Sequence, residues 1–298
     1  MRPVVASALD GAGRGEVRQL IARATAADDR SPVSEETMLQ LSAPASDRIR
    51  HVLVREDDRL LGYAALLRAD GPQPMVAELA VDPAARHRGV GHVLVQSLLR
   101  EAGADGLSLW AHGRNAPAAA LAQDLGFQQR RTLLQLRRSL TSTLGEYPLP
   151  AGFRITSFRP GVDDADFLAT NAAAFVHLPD QGSWGPDDLA ARLAAPWFDA
   201  EGFLLLRAGD EGELAGFHWT KLHRPDLLGE IYVLAIAPSF QGRGLAPALA
   251  VRGLQHLRAS GATTAMLYVD DSNPAALALY RRLGFTEWDV DTLYTTAD

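Results

Sequence analysis

An α/β architecture built twice is the fold that the sequence predicts, each copy a layered domain with a mixed central sheet flanked by helices. Two observations carry this reading. Short apolar runs alternate with segments of helical periodicity along the whole chain. The same motifs also occur in the same order in each half. An apolar run ends in proline (Glu78-Leu79-Ala80-Val81-Asp82-Pro83, then Val233-Leu234-Ala235-Ile236-Ala237-Pro238). A glycine loop follows (Arg86-His87-Arg88-Gly89-Val90-Gly91, then Gln241-Gly242-Arg243-Gly244-Leu245-Ala246). An Asn-x-x-Ala helix then closes on Leu-Gly-Phe, from Asn115 to Phe127 and from Asn273 to Phe285. A length of 298 residues fits two domains independently.

In the first half, Val17, Leu20, Ile21 and Ala24 share one face of a helix over Gly15–Asp28. Ser34 is placed to cap a second helix, with Glu35 and Glu36 in its first turn. Strands are expected over Val52–Arg55, Leu60–Leu67 and Val76–Val81, with a turn at Asp57-Asp58. A helix over Gly89–Ala102, a strand over Leu107–Ala111, a helix over Ala116–Leu125 and a strand over Thr132–Leu140 complete the first domain, residues 1–140. The polar segment Thr141–Pro150 carries two prolines and reads as a linker. The second domain, residues 151–298, repeats the plan. Its strands are expected over Arg154–Phe158, Phe203–Arg207, Leu214–Leu222, Glu230–Ile236, Ala265–Val269 and Trp288–Tyr294. Its helices are expected over Asp164–Ala174, Pro186–Ala194, Gly244–Ala259 and Ala275–Leu283.

The formal charge of −7 and the lack of a basic run disfavour broad nucleic-acid binding. No apolar stretch is long enough to span a membrane, and the N-terminus lacks the layout of a secretory signal. With no cysteine, disulfides and thiolate metal sites are excluded. A cytoplasmic protein is expected, working as a monomer on small molecules, without a metal.

A loop between a strand and a helix N-terminus presents backbone N–H groups that have no partner within the helix. These donors and the helix dipole attract phosphate oxygens. Glycine lets the backbone approach the ligand, and Arg86, Arg88 and Arg243 add charge. A single loop of this kind is equally compatible with an ordinary glycine-rich turn. No Gly-Lys-Ser/Thr follows, so it is not a Walker loop, and the spacing differs from a dinucleotide fingerprint.

The Arg/Gln-x-x-Gly-x-Gly/Ala loop, followed by the Asn-x-x-Ala…Leu-Gly-Phe helix, resembles the GNAT N-acetyltransferase superfamily over nearly the whole chain. The resemblance implies two tandem GNAT-like domains and acetyl-CoA as cosubstrate. In such domains the strand before the loop splays from its neighbour, and its free backbone groups hold the pantetheine arm and polarise the thioester carbonyl. By this resemblance Leu234, Ala235 and Ile236 take that role in the second half. Gln241, Gly242, Arg243, Gly244, Leu245, Ala246 and Pro247 form the pyrophosphate loop. Asn273, Pro274, Ala275, Ala276, Leu277 and Ala278 flank the cosubstrate from the next helix. The first-half counterparts are Leu79, Ala80 and Val81, with Arg86, His87, Arg88, Gly89, Val90, Gly91 and His92.

The halves differ in ionisable residues. With the loops aligned, at an offset of 155 residues, Glu230 falls opposite Met75. With the Gly-Phe pairs aligned, at an offset of 158, Tyr280 falls opposite Ala122. Acetyl transfer to an amine removes a proton from the ammonium and returns one to the departing thiolate. A carboxylate acting through water serves the first step. A phenol, with a pKa of about 10, serves the second against a thiol near ~8.5. Glu230 is therefore the candidate base and Tyr280 the candidate acid; their alternatives are a solvated strand-end carboxylate and a core aromatic. The first domain is expected to be non-catalytic, holding acetyl-CoA or serving a structural role.

Within the superfamily the chain is similar to a tandem branch of mycothiol biosynthesis. That branch acetylates the cysteinyl amine of Cys-GlcN-Ins, a pseudo-disaccharide of glucosamine and inositol. The matching runs are Gly216-Phe217-His218-Trp219-Thr220-Lys221, Leu228-Gly229-Glu230-Ile231-Tyr232-Val233-Leu234, Asn171-Ala172-Ala173-Ala174-Phe175, and Pro179-Asp180-Gln181-Gly182 with Trp184. This resemblance implies that Glu35, Asp180, Lys221, Glu230 and Tyr268 line the acceptor pocket. The bland alternatives are a helix-end charge for Glu35, a turn residue for Asp180, a solvated strand end for Lys221 and a core position for Tyr268. His218 and His223 lack a third ligand at metal spacing, and His87, His92 and His112 read as surface or loop residues. The competing functions are acetylation of another small amine or peptide N-terminus, and a non-catalytic acyl-CoA sensor.

Overall fold

The repeated motifs fold into two units of the same strand plan in a computed structural model of the protein. It describes residues 1–42, 46, 48–68, 74–209, 212–224 and 226–296, the side chains of residues 179 and 180 excepted. In chain order the first half gives β1 (Arg2–Ala6), α1 (Gly11–Asp28), α2 (Glu35–Ser42), β2 (Ile49–Glu56), β3 (Arg59–Leu67), β4 (Met75–Val81), α3 (Val90–Ala102), β5 (Leu107–Ala111), α4 (Ala116–Asp124) and β6 (Phe127–Ser139). The second half gives β7 (Phe153–Ser157), α5 (Asp164–Ala174), α6 (Pro179–Gly182), α7 (Pro186–Leu193), β8 (Phe203–Ala208), β9 (Leu214–His223), β10 (Leu228–Ile236), α8 (Leu245–Ala259), β11 (Thr264–Asp270), α9 (Pro274–Arg282) and β12 (Thr286–Thr296). The predicted strands and long helices are all present. Helix α1 begins a turn earlier than its apolar face requires, because Asp10 accepts the N–H of Gly13 at 2.7 Å. Strand β1 was not read from the sequence; Val4 and Val5 are both exposed, so it carries no alternating pattern.

The packing units do not coincide with the repeats. One comprises Met1–Leu133 with Asp289–Asp298, the other Leu134–Trp288. Within the first unit the strands lie in the order β1-β2-β3-β4-β5-β12, and within the second in the order β6-β11-β10-β9-β8-β7. The final strand, expected in a second domain of residues 151–298, thus closes the first sheet, where Thr292–Thr295 pair antiparallel with Ser108–Ala111. The second half of β6, from Leu134 to Ser139, lies in the other unit, where Leu136 joins the core around α8 and α9. Each repeat ends on a strand that the other repeat's sheet uses.

A buried ion network anchors that last strand in the first unit. His112, just after β5, hydrogen-bonds Glu78 of β4 at 2.8 Å and Asp291 of β12 at 2.9 Å. Ser34 donates its N–H and its hydroxyl to Glu78, and Gly113 donates its N–H to Asp291. Arg30 pairs with both Asp289 and Asp291. The imidazole expected at the surface is therefore enclosed, with 12% of its side chain exposed. Desolvation opposes its charge, but the hydrogen bonds to Asp291 and Glu78 and their two charges overcome it and push the pKa up to about 9. Glu78 and Asp291 are also disfavoured as anions by burial, yet His112 holds both below the usual carboxylate range. A raised histidine pKa stabilises the fold fully below the unfolded value near 6.5 and loses that contribution as pH rises through the folded value. Denaturant unfolding at pH 6, 7.5 and 9.5 should show a loss of roughly 3 kcal/mol over this range. His112→Gln should flatten that slope.

In the second unit α8 lies hard against β9. Gly253 faces His218, and a Cβ there would stand 2.1 Å from the imidazole Cε1. The ring is fully buried, fixed by a 3.1 Å contact between Nδ1 and the Leu249 carbonyl, and burial lowers its pKa to about 4. Alanine would gain about 1 kcal/mol in helix propensity and cost about 1–3 kcal/mol in strain. Gly253→Ala is expected to lower the midpoint of thermal unfolding, with no gain from its better helix former.

Candidate active site

Both sheets open at the same place. In the second unit β10 pairs with β9 along its length but with β11 only at Leu228, Gly229 and Glu230. In the first unit β4 pairs with β5 only at Met75, Val76 and Ala77, while its pairing with β3 continues to Val81. The backbone of Leu234, Ala235 and Ile236, and that of Leu79, Ala80 and Val81, therefore has a side that the neighbouring parallel strand leaves free.

Glu230 is the last residue of β10 paired with β11. It lies opposite Lys221 on β9 and Met266 on β11, so these three side chains share a sheet face, together with Trp219 two residues from Lys221. A bulge between Ile231 and Val233 inserts Tyr232 after this point. It also changes the register of the repeat: matched through the strand pairs, Glu230 corresponds to Val76 opposite Leu67, one residue from the Met75 obtained by counting back from the loop. Both are apolar, so the asymmetry of the halves is unaffected. Glu230 is buried, and its Oε2 meets Nε2 of His223 at 2.7 Å.

The face around Glu230 is aromatic. Trp219 stacks on Phe203 with 4.1 Å between ring centroids and meets Trp197, Trp184 and Tyr232 edge-on or tilted. The Lys221 ammonium lies 4.6 Å from the Trp197 ring and 5.2 Å from Tyr232. Lys221 is thus a buried, caged cation rather than a solvated strand end. Arg192 covers Trp184 at 3.9 Å and donates to the Tyr232 hydroxyl at 2.9 Å. Tyr268 is on the same face of β11, two residues beyond Met266. It is 38% exposed, not core, and its hydroxyl accepts from Gln135 at 2.7 Å.

Tyr280 comes from the other face. Ile231 and Leu234 turn toward α8 and α9, where Tyr280 packs in one apolar cluster with Leu254, Leu267 and Leu277. Burial raises its pKa, so the phenol keeps its proton through the neutral range. Its first-unit counterpart Ala122 sits in the equivalent core.

The second-unit loop leads into α8 through two left-handed glycines. Gly244, with φ 73°, is the N-cap of α8 and supplies no side-chain cap, and Gly242 is also left-handed at φ 77°. Nothing stands within 4 Å of a Cβ placed on either glycine, so it is the positive φ, not crowding, that calls for glycine at both positions. Arg243 donates to the Ser239 carbonyl at 3.2 Å. Gln241 reaches the Ile236 carbonyl at 3.2 Å, tying the loop to the end of β10. Leu245 is core, while Ala246 and Pro247 are half-buried. Asn273 caps α9 by accepting the Ala276 N–H at 3.0 Å; Pro274, Ala275 and Ala278 are exposed, and Leu277 faces the core.

In the first unit Gly89 repeats the left-handed N-cap with φ 80°, ahead of Val90 and Gly91, and His87 and His92 are exposed. Here the arginines are already engaged: Arg86 with Asp28 at 2.7 Å and Arg88 with Glu56 at 2.7 Å. Glu35 belongs to this unit, at the first residue of α2. Asp180 is in α6, but its side chain lies outside the described residues.

The sequence reading missed the His223 contact, the Gln135–Tyr268 bond and the cage of Trp197, Tyr232 and Arg192. These partners come from separate strands and helices, and no local spacing marks them.

Two splayed strands, each followed by a glycine loop at a helix N-terminus, define a tandem acyltransferase scaffold. The acetyltransferase (GNAT) family model matches residues 16–127 and 172–285, and the chain belongs to this family. Among its relatives is a mycothiol acetyltransferase of Rhodococcus jostii, 45% identical over 97% of this chain and 96% of its own length. Another, from Streptomyces coelicolor, is 48% identical over 94% of this chain and 90% of its own. A solved tandem GNAT protein from the clavulanic acid biosynthesis pathway superposes with a TM-score of 0.77, covering 99% of this chain and 98% of its own, at 18% identity. A GCN5-related N-acetyltransferase from Sphaerobacter thermophilus gives a TM-score of 0.70 at 22% identity, over 99% of this chain and 95% of its own. Among the described residues no helix is long and apolar enough to cross a membrane.

Proposed function

We propose that this chain transfers the acetyl group of acetyl-CoA to the cysteinyl amine of Cys-GlcN-Ins, forming mycothiol directly in a ternary complex. The observation that supports the chemistry is that β10 parts from β11 directly after the buried carboxylate of Glu230, with the phenol-bearing Tyr280 in the apolar cluster against the opposite sheet face. The names of the relatives supply the acceptor.

The open loop from Gln241 to Pro247 offers its N–H groups and Arg243 to the pyrophosphate. The unpaired backbone of Leu234, Ala235 and Ile236 holds the pantetheine arm and polarises the thioester carbonyl. Glu230 takes the ammonium proton through a water and frees the nitrogen lone pair. Tyr280 returns a proton to the departing sulfur. Lys221 and Tyr268, on the face of Glu230, present a cation and a phenol to an acceptor rich in hydroxyls.

In this reading the first unit holds acetyl-CoA but does not turn it over. Val76 and Ala122 stand where the second unit has Glu230 and Tyr280. Phosphates there compete with Asp28 and Glu56 for Arg86 and Arg88, so this is the weaker site.

The test is CoA release from acetyl-CoA with Cys-GlcN-Ins, with the N-acetyl product identified by mass spectrometry and glucosaminyl-inositol as the control. Cysteine-dependent release is expected. Binding of acetyl-CoA without release would discard the acceptor and direct the search to other amines, then to a sensor.

A further inference from the structure

We propose that His223 is a positioning residue for Glu230: it fixes one carboxylate oxygen so that the other faces the acceptor amine. This rests on the reading of Glu230 as the base.

His223 and Lys221 lie two residues apart on β9 and project from the same sheet face. Glu230 is directly opposite Lys221 and diagonal to His223, within reach of a long side chain. Nε2 of His223 stands 2.7 Å from Oε2 of Glu230, a charge-assisted hydrogen-bond distance. An ionised carboxylate only accepts, so Nε2 is the protonated nitrogen whatever the state of Nδ1. Exposure separates the partners: 11% of the Glu230 side chain is open, against 31% of His223. The imidazole thus stands on the solvent side of a largely enclosed carboxylate.

This geometry has two consequences for the base. Oε2 is committed to the imidazole, which leaves Oε1 to accept the proton. The bond also removes rotational freedom from a carboxylate at the last paired residue before the strands part, where β11 gives no further support. A hydrogen-bonding partner that holds a base in one rotamer is the general way in which a neighbouring side chain orients a catalytic group.

The test compares His223→Leu, which deletes the donor, with His223→Gln, whose amide nitrogen can occupy the place of Nε2. His223→Leu should lower kcat about 10- to 100-fold, the usual effect of removing an orienting partner. The KM for acetyl-CoA and the thermal midpoint should stay near those of the parent. His223→Gln should recover most of the loss. In a double-mutant cycle His223→Leu should cost little more once Glu230 is glutamine, because its effect runs through that carboxylate. A full additional loss in the double variant, or a His223→Leu enzyme as fast as the parent while Glu230→Gln is slow, overturns the assignment of His223 alone. If Glu230→Gln itself is as fast as the parent, the reading of the base fails first.

Discussion

Glu230→Gln is expected to slow turnover about 100-fold at saturating substrates, the lower range for a positioned base. The substitution is close to isosteric and keeps an acceptor oxygen for the His223 Nε2–H, so packing against Lys221 and Met266 should survive. What it removes, on the proposed reading of Glu230 as the base, is the capacity to take a proton from the ammonium. The loss should shrink as pH approaches the acceptor's own pKa, about 8 for an α-amino group, where the amine arrives already neutral. Steady-state rates between pH 6.5 and 9, with thermal unfolding as a folding control, measure both effects. A uniform loss at every pH would show that Glu230 only binds the acceptor.

Tyr280→Phe is expected to lower kcat by a similar factor, about 100-fold, with acetyl-CoA affinity little changed. The ring sits in the cluster with Leu254, Leu267 and Leu277 and meets Phe285 edge-on at 5.7 Å, and phenylalanine keeps all of that packing. Only the hydroxyl is lost. Burial raises its pKa, so in the proposed role the phenol still carries its proton when the thiolate departs. The decisive comparison is between thioesters. An acetyl donor whose thiol is more acidic needs less help in leaving, so the variant should lose less with it. Equal losses for the two donors would assign Tyr280 to packing or binding.

Much of this was legible in the sequence because repetition tests each element twice. The paired strand–loop–helix motifs gave nearly all element positions, and the helix caps at Ser34 and Asn273 are where local side-chain chemistry places them. The sequence was less informative where partners are distant. Counting residues aligned Glu230 with Met75, whereas the bulge at Tyr232, a backbone feature without a sequence mark, aligns it with Val76. His112 reads as a loop histidine until Asp291, remote in sequence, closes over it. Lys221 reads as an exposed strand end until Trp197 and Tyr232 enclose it. These are consequences of tertiary contacts, which override local pattern.

The exchange of terminal strands leaves neither repeat with all of its own unit. A fragment cut at the polar segment 141–150 would carry the second repeat, yet lack the β6 residues that belong to its unit and end on a β12 with no β5 to join. The amino-terminal fragment would have the converse defect, with Glu78 and His112 buried beside an absent Asp291. Neither half of the chain is then a complete fold by itself, and the first repeat is needed for the strand it lends, whatever its ligand.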